Sequence, residues 1–343
     1  MGWTPVDIDS NKEAIIRLCS YHRDDVSRLL VHSSPQEMEA VQESLRTAFS
    51  TPPTASLASF DNLPAEIMIM ILSDLDIMSY FRFRQVNRGA RLLATGLTKE
   101  YLALATHGLE GLRGLLRGNL DHRFTILDLY RTLVTRDCAL CGAFGGFLYL
   151  PSNTRCCYRC IHVSADLALL STTSFCRFAK VMPSEAEPHI LGATIRTVPG
   201  HYSTEDTPAK RTKYLVSVRD GLDALASRGV ARPAWRKYPI HDSDGTPIEQ
   251  RRMACTALPW YDPDTSQAEG GVCCKGCLSH NNSRSLEWSA SVCKNRMFSS
   301  EGFLAHFEEC WYAKHLWAHT SGHCGLVYTC NSKLCTTHSK FHI

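Results

Sequence analysis

Apolar residues along most of this chain recur at helical spacing. In 11–31 they fall at Ile15, Ile16, Cys19, Val26, Leu29 and Leu30, which predicts helix. A second helix is predicted over 35–49, entered through Ser34-Pro35-Gln36-Glu37. Ser50-Thr51-Pro52-Pro53-Thr54 then reads as a linker. The next stretch, 60–93, is different. Asp61 and Asn62 can cap a helix, and Leu63-Pro64 leads into one running from Ala65 to Leu75. At helical angles Ile67, Met70 and Ile71 share one face, Met68, Leu72 and Leu75 another, and Ile69 points a third way. A helix apolar on all sides must be buried on all sides, and a segment of this size has little core of its own. The second face is therefore covered by the rest of the chain or by a partner.

Downstream, Leu102, Leu104, Leu109, Leu112, Leu115 and Leu116, then Phe124, Ile126, Leu127, Leu129 and Tyr130, predict more helix across 97–134. That region is a candidate to pack on the three-way apolar helix. Further helices are expected over 163–171 and 214–227, and a short strand and turn over 194–200. Phe147-Leu148-Tyr149-Leu150 is β-prone. Prolines and glycines between Gly229 and Gly270 suggest loops. The expected fold is mainly α with small β and knuckle-like elements. It divides into an N-terminal helical segment (1–50), the apolar three-helix stretch (59–105), a helical segment ending in cysteines (106–161), a variable α+β region (162–255) and a Cys/His-rich C-terminal region (256–343).

Composition narrows the function. The 343 residues carry 37 basic and 34 acidic side chains, a net charge of +3, too small to steer the chain to nucleic acid or a membrane surface. The runs Lys210-Arg211-Thr212-Lys213 and Arg251-Arg252 read as solvated loop faces. No run approaches the ~18 apolar residues that span a bilayer, and the N-terminus lacks a signal-peptide core. An intracellular location, cytoplasmic or nuclear, is expected. In a reducing compartment the 16 cysteines are not a disulfide scaffold, and their clustering points to metal.

The stretch from Phe60 to Leu93 resembles an F-box. The resemblance rests on Leu63-Pro64, Glu66-Ile67, Ile71-Leu72-Ser73, Leu75, Phe81, Arg84, Val86, Arg88 and Leu92-Leu93; Ala90 stands where many F-boxes carry Trp. It implies a three-helix motif that docks on the Skp-type linker of a Skp–cullin–F-box ubiquitin ligase. Leu63, Pro64, Ile67, Ile71 and Leu72 would carry that contact.

Two cysteine groups follow. Cys138-Ala-Leu-Cys141 and Cys157-Tyr-Arg-Cys160 stand fifteen residues apart, the pattern of a four-cysteine zinc site. Each C-x2-C turn aims two thiolates at one ion, and the intervening chain must go out and return. Such a closed set is structural. Cys156 could replace Cys157; buried free thiols or a redox pair are the other readings. In the second group, Cys274 and Cys277 form a knuckle, while His306 and Cys310 lie four apart on a predicted helix and can grip one ion. That half resembles the helix of a zinc finger with three cysteine ligands and one histidine, and Cys273 or Cys293 could substitute. Two structural zinc ions are expected in all. His315, His319 and His323, with Cys324, Cys330, Cys335, His338 and His342, leave open either a further metal site or exposed histidines. Cys19, Cys176 and Cys255 read as core.

The succession of F-box, cysteine knuckles and distal finger is similar to a family of fungal F-box proteins. The implied role is a non-catalytic, substrate-recognition adaptor with an unknown protein substrate. A zinc-dependent transcription or chromatin protein is the alternative, against which stands the lack of a basic recognition helix. An enzyme finds no support in phosphate-binding, dinucleotide-binding, zinc-protease or nucleophile-elbow motifs.

Overall fold

Several helix starts in this chain are fixed by side-chain caps. Ser34 accepts from the Glu37 amide while the Glu37 carboxylate accepts from the Ser34 amide, a reciprocal cap that opens the helix Pro35–Arg46. Thr125 and Asp128 repeat the arrangement at Ile126–Val134. Asp76 caps Ile77–Arg84 by accepting from the Ser79 amide at 2.9 Å. The computed structural model describes residues 7–96, 98–203, 208–229, 248–281 and 295–320. Cys293 and the tail residues His323, Cys324, Cys330, Cys335, His338 and His342 lie outside the described residues.

These residues form two compact units, one from Ser27–Gly271 and the other from Met1–Val26 with Val272–Ile343. In the first, three helices, Ala65–Asp74, Ile77–Arg84 and Arg88–Gly96, occupy the apolar stretch. Asp61 and Asn62 do not cap the first of them: Pro64 holds the cap position, and Asp61 instead accepts from the Leu57 amide and the Ser56 hydroxyl. A single-turn 3-10 segment, Ala58–Asn62, takes up the two polar residues one step too early. The helix Ala65–Asp74 turns Met68 and Leu72 inward and packs on Ile126–Val134. Arg84 and Arg91 donate to the Ser44 and Thr47 carbonyls, placing two cations at the C-terminal end of Pro35–Arg46, where its dipole is negative.

Two three-stranded antiparallel sheets and the hairpin Trp260–Asp262/Gln267–Glu269 complete the described part of this unit. Phe147–Tyr149 lies between Thr154–Cys156 and Cys255–Ala257, with Phe147 opposite Cys156 and Tyr149 opposite Cys255. Tyr214–Ser217 lies between Leu169–Ser171 and Thr194–Arg196. The helix expected over 163–171 does not form: a 3-10 turn, Ala165–Leu167, is followed by the strand Leu169–Ser171, while 214–227 divides into the strand Tyr214–Ser217 and the helix Val218–Ala226. Between Gly229 and Gly270 the loop reading fails over the described part, where a short helix (Ile248–Arg252) and three strands appear. Pro259 separates two strands and Pro263 sits at a hairpin turn, so the prolines mark strand ends, where no ladder amide is needed.

In the second unit the helix Ile8–Cys19 packs against Ser300–Glu309 and Trp311–Thr320. Ser20–Tyr21 pairs with Cys273–Cys274. Ile15, Cys19, Phe303, Phe307 and Ala313 are buried together as its core. Mainly helical with small strands is the observed class.

Candidate functional site

The first cysteine group is assembled by a knuckle, a hairpin and a helix start. The Cys138 amide donates to the Ala143 carbonyl and the Gly142 amide to the Cys138 carbonyl, closing the knuckle. Gly142 has φ of +71°, a conformation that a side chain disfavours. The hairpin Phe147–Tyr149/Thr154–Cys156 brings the chain back, and Cys157 becomes the N-cap of Tyr158–Val163, accepting from the Cys160 amide at 3.4 Å. The Sγ atoms of Cys138, Cys141, Cys157 and Cys160 consequently lie within 4.8 Å of one another. Cys141 and Cys157 are 3.5 Å apart. Tetrahedral zinc with bonds of ~2.3 Å holds its sulfurs about 3.8 Å apart, so the set fits that ion. Hydrogen bonds from the Cys157 and Cys160 thiols pull Cys138 far below the usual thiol range, and the same bonds push Cys160 up and Cys157 to about 12. Four sulfurs in one place sustain few negative charges until a cation joins them.

Cys156 is not part of this group. It is fully buried on the strand, pairs across to Phe147, and has its thiol pushed well up by burial and by Cys255.

The second group has the same logic with a different helix. Cys277 donates its amide to Cys274 Sγ at 3.4 Å. Ser299 caps Ser300–Glu309, accepting from the Gly302 amide, and His306 and Cys310 rise from that helix and its end. Cys310 Sγ lies 3.9 Å from Cys274 Sγ and 3.8 Å from Cys277 Sγ, and Cys277 Sγ is 3.4 Å from His306 Nε2. Zinc with three sulfurs and one nitrogen calls for about 3.8 and 3.6 Å, and the donor set fits it as well as the first. Phe298 stacks on the His306 ring at 4.6 Å and holds its plane, a contact that the sequence pattern did not reveal. Burial pulls the His306 imidazole down, but hydrogen bonds and charge from Cys274 and Cys310 outweigh it and carry it to about 9. Cys273 points elsewhere: it is fully buried opposite Tyr21, and burial pushes its thiol up to about 12.

A third feature is apolar. On the outer side of Ala65–Asp74, Ile67 is 40% exposed and Met70 66%, and Leu63, just before the helix, is 37% exposed. Pro64 is exposed as well, and Ile71 is half-buried beside them. Phe60, Val86 and Leu92 add further exposed apolar surface to the same three-helix stretch. A family model, described as the F-box domain, matches residues 60–99.

Those residues are an F-box domain. No curated protein and no solved structure matches the chain.

Within the F-box, four of the five residues expected to meet a linker lie on or beside the open face: Leu63, Pro64, Ile67 and Ile71. Leu72 does not. It is 0% exposed, because its angle on the helix turns it with Met68 toward the interior. Met70, 66% exposed, shares that open face, as its helical angle beside Ile67 and Ile71 dictates. Among the described residues, no helix is long and apolar enough to cross a membrane.

Proposed function

We propose that this chain is the substrate-recognition adaptor of a Skp–cullin–F-box ubiquitin ligase, working in the cytosol or nucleus. The F-box docks on the Skp-type linker, and parts of the chain outside it capture a protein substrate. The carrying observation is the uncovered stripe of Leu63, just before the helix Ala65–Asp74, with Ile67 and Met70 on it, the helix's other side being already packed. A groove on the linker would bury that stripe, and full burial of such side chains contributes on the order of 1.5–3 kcal/mol each, less for those already partly covered. The two Cys/His groups hold structural zinc; sets of four protein ligands leave no open position for catalysis. Their zinc, when bound, supplies folding free energy and fixes the surfaces around it.

The test is linker capture by the full-length chain. Ile67→Glu with Met70→Glu alters only open positions, so the fold and zinc content should persist while capture of the purified Skp-type linker is lost. Leu63→Ala with Pro64→Ala should act in the same direction. Normal capture by the folded Glu double variant would refute the docking assignment. Affinity capture under proteasome inhibition, with and without the F-box, would then identify substrates as proteins retained in both samples and ubiquitinated only in the first.

A further inference from the structure

Beyond the two cysteine groups, the geometry points to a third metal site, open to solvent, formed by His315 and His319 on the helix Trp311–Thr320. It would take a divalent transition metal that prefers imidazole, with water filling its remaining positions. The two histidines are four residues apart and so share one helix face. Their Nε2 atoms stand 3.0 Å apart, with ring centroids 4.1 Å apart. Two nitrogens bound at ~2.0–2.1 Å to one ion at a right angle stand about 3.0 Å from each other. The pair is thus already spaced as two adjacent ligands.

The surroundings support a site. The Trp311 ring lies 4.9 Å from His315 on the same face and restricts its rotation, so less order is lost on binding. Lys314, the cation that precedes His315 in the chain, donates its Nζ to the Glu308 carbonyl at 2.8 Å. Both histidines are exposed, in contrast to the mostly buried cysteine ligands. Imidazole without thiolate suits zinc, copper and nickel, and an incomplete set of two protein ligands exchanges metal more readily than a closed set of four.

Nickel(II) is the probe, added to the full-length chain already loaded with zinc. Nickel and zinc are both counted after equilibrium dialysis, and tryptophan emission is followed in parallel. One nickel should bind with zinc content unchanged. His315→Ala and His319→Ala should each weaken that binding by about tenfold or more, since the second imidazole of a pair acts at high effective concentration. Bound nickel should quench Trp311, so Trp311→Phe should bind nickel with a smaller loss of emission. The proposal fails if either histidine variant binds nickel like the unaltered chain, as it would if the rings only share an N–H···N hydrogen bond. It also fails if nickel enters solely by displacing zinc.

Discussion

Arg155 shows how much one side chain can fasten. It is buried on the strand that leads into Cys156 and Cys157, and its guanidinium donates to the carbonyls of Thr132, Leu133, Gly145, Leu258 and Pro259. These belong to three separate segments, so the fork ties a helix end, the knuckle and the link between two distant strands to one hairpin. Burial pulls its pKa down to about 10, still charged at neutral pH. Hydrogen bonds from a charged donor are worth ~1.5–3 kcal/mol each, and losing one partner leaves the others unsatisfied. Arg155→Leu should therefore destabilise the unit by about 3 kcal/mol or more in urea unfolding, and should lower zinc retention. A loss under about 1 kcal/mol would show that water replaces the guanidinium. None of this was legible beforehand, because nothing local distinguishes Arg155 from an exposed arginine. The cysteine groupings were legible, since a knuckle is specified within four residues. Leu72 and Met70 were separable by helical angle, but only the neighbouring helix Ile126–Val134 decides which side is inside.

Among elements, the helix Ile77–Arg84 depends on its cap. Burial pulls the Asp76 carboxyl up, but hydrogen bonds from the Ser79 hydroxyl and amide outweigh it and hold it below the usual carboxylate range. A carboxyl depressed in the folded state stabilises above its unfolded pKa, and that contribution is lost as pH falls through the folded value. Asp76→Ala should cost about 1 kcal/mol at neutral pH. The gap from the unaltered protein should shrink as unfolding is measured at progressively lower pH below about 4; a pH-independent gap would mean the cap is not electrostatic. The helix Trp311–Thr320 depends on a close approach. A Cβ on Gly276 would stand 2.4 Å from the Ala313 backbone nitrogen and 2.6 Å from the Tyr312 carbonyl carbon. Backbone cannot yield as a side chain can, so Gly276→Ala should displace that helix and reduce zinc retention at Cys274, Cys277, His306 and Cys310. Unchanged zinc content and melting temperature would contradict this. Helix positions were mostly readable from apolar spacing and caps. The strands Leu169–Ser171 and Tyr214–Ser217 were not, because each is stabilised by a partner more than forty residues away that local propensity does not contain.

At the scale of the molecule, the F-box and the first cysteine group fall in one unit and the second cysteine group in the other. Metal binding supplies on the order of 10 kcal/mol of folding free energy in small zinc elements, and loss of a site unfolds its own neighbourhood first. Cys274→Ser with Cys277→Ser should leave linker capture intact and open the second unit to proteolysis. Cys138→Ser with Cys141→Ser should destabilise more of the chain and weaken linker capture. The reverse pattern, in pull-downs beside limited proteolysis, would tie the F-box to the distal group instead.

The sequence by itself determined the features encoded over a few residues. These are the helix after Leu63-Pro64 with apolar residues on every side, the C-x2-C knuckles, and the His306/Cys310 pair one helical turn apart. Tertiary structure alone decided which distant segments complete them. Ser20–Tyr21 pairs with Cys273–Cys274, and Ile15 and Cys19 pack with Phe303 and Phe307 from the far end of the chain. Spacing fixes direction along one element, because backbone geometry is periodic. Which remote apolar surface meets it is settled by burial, which depends on shape and area rather than on order in the chain.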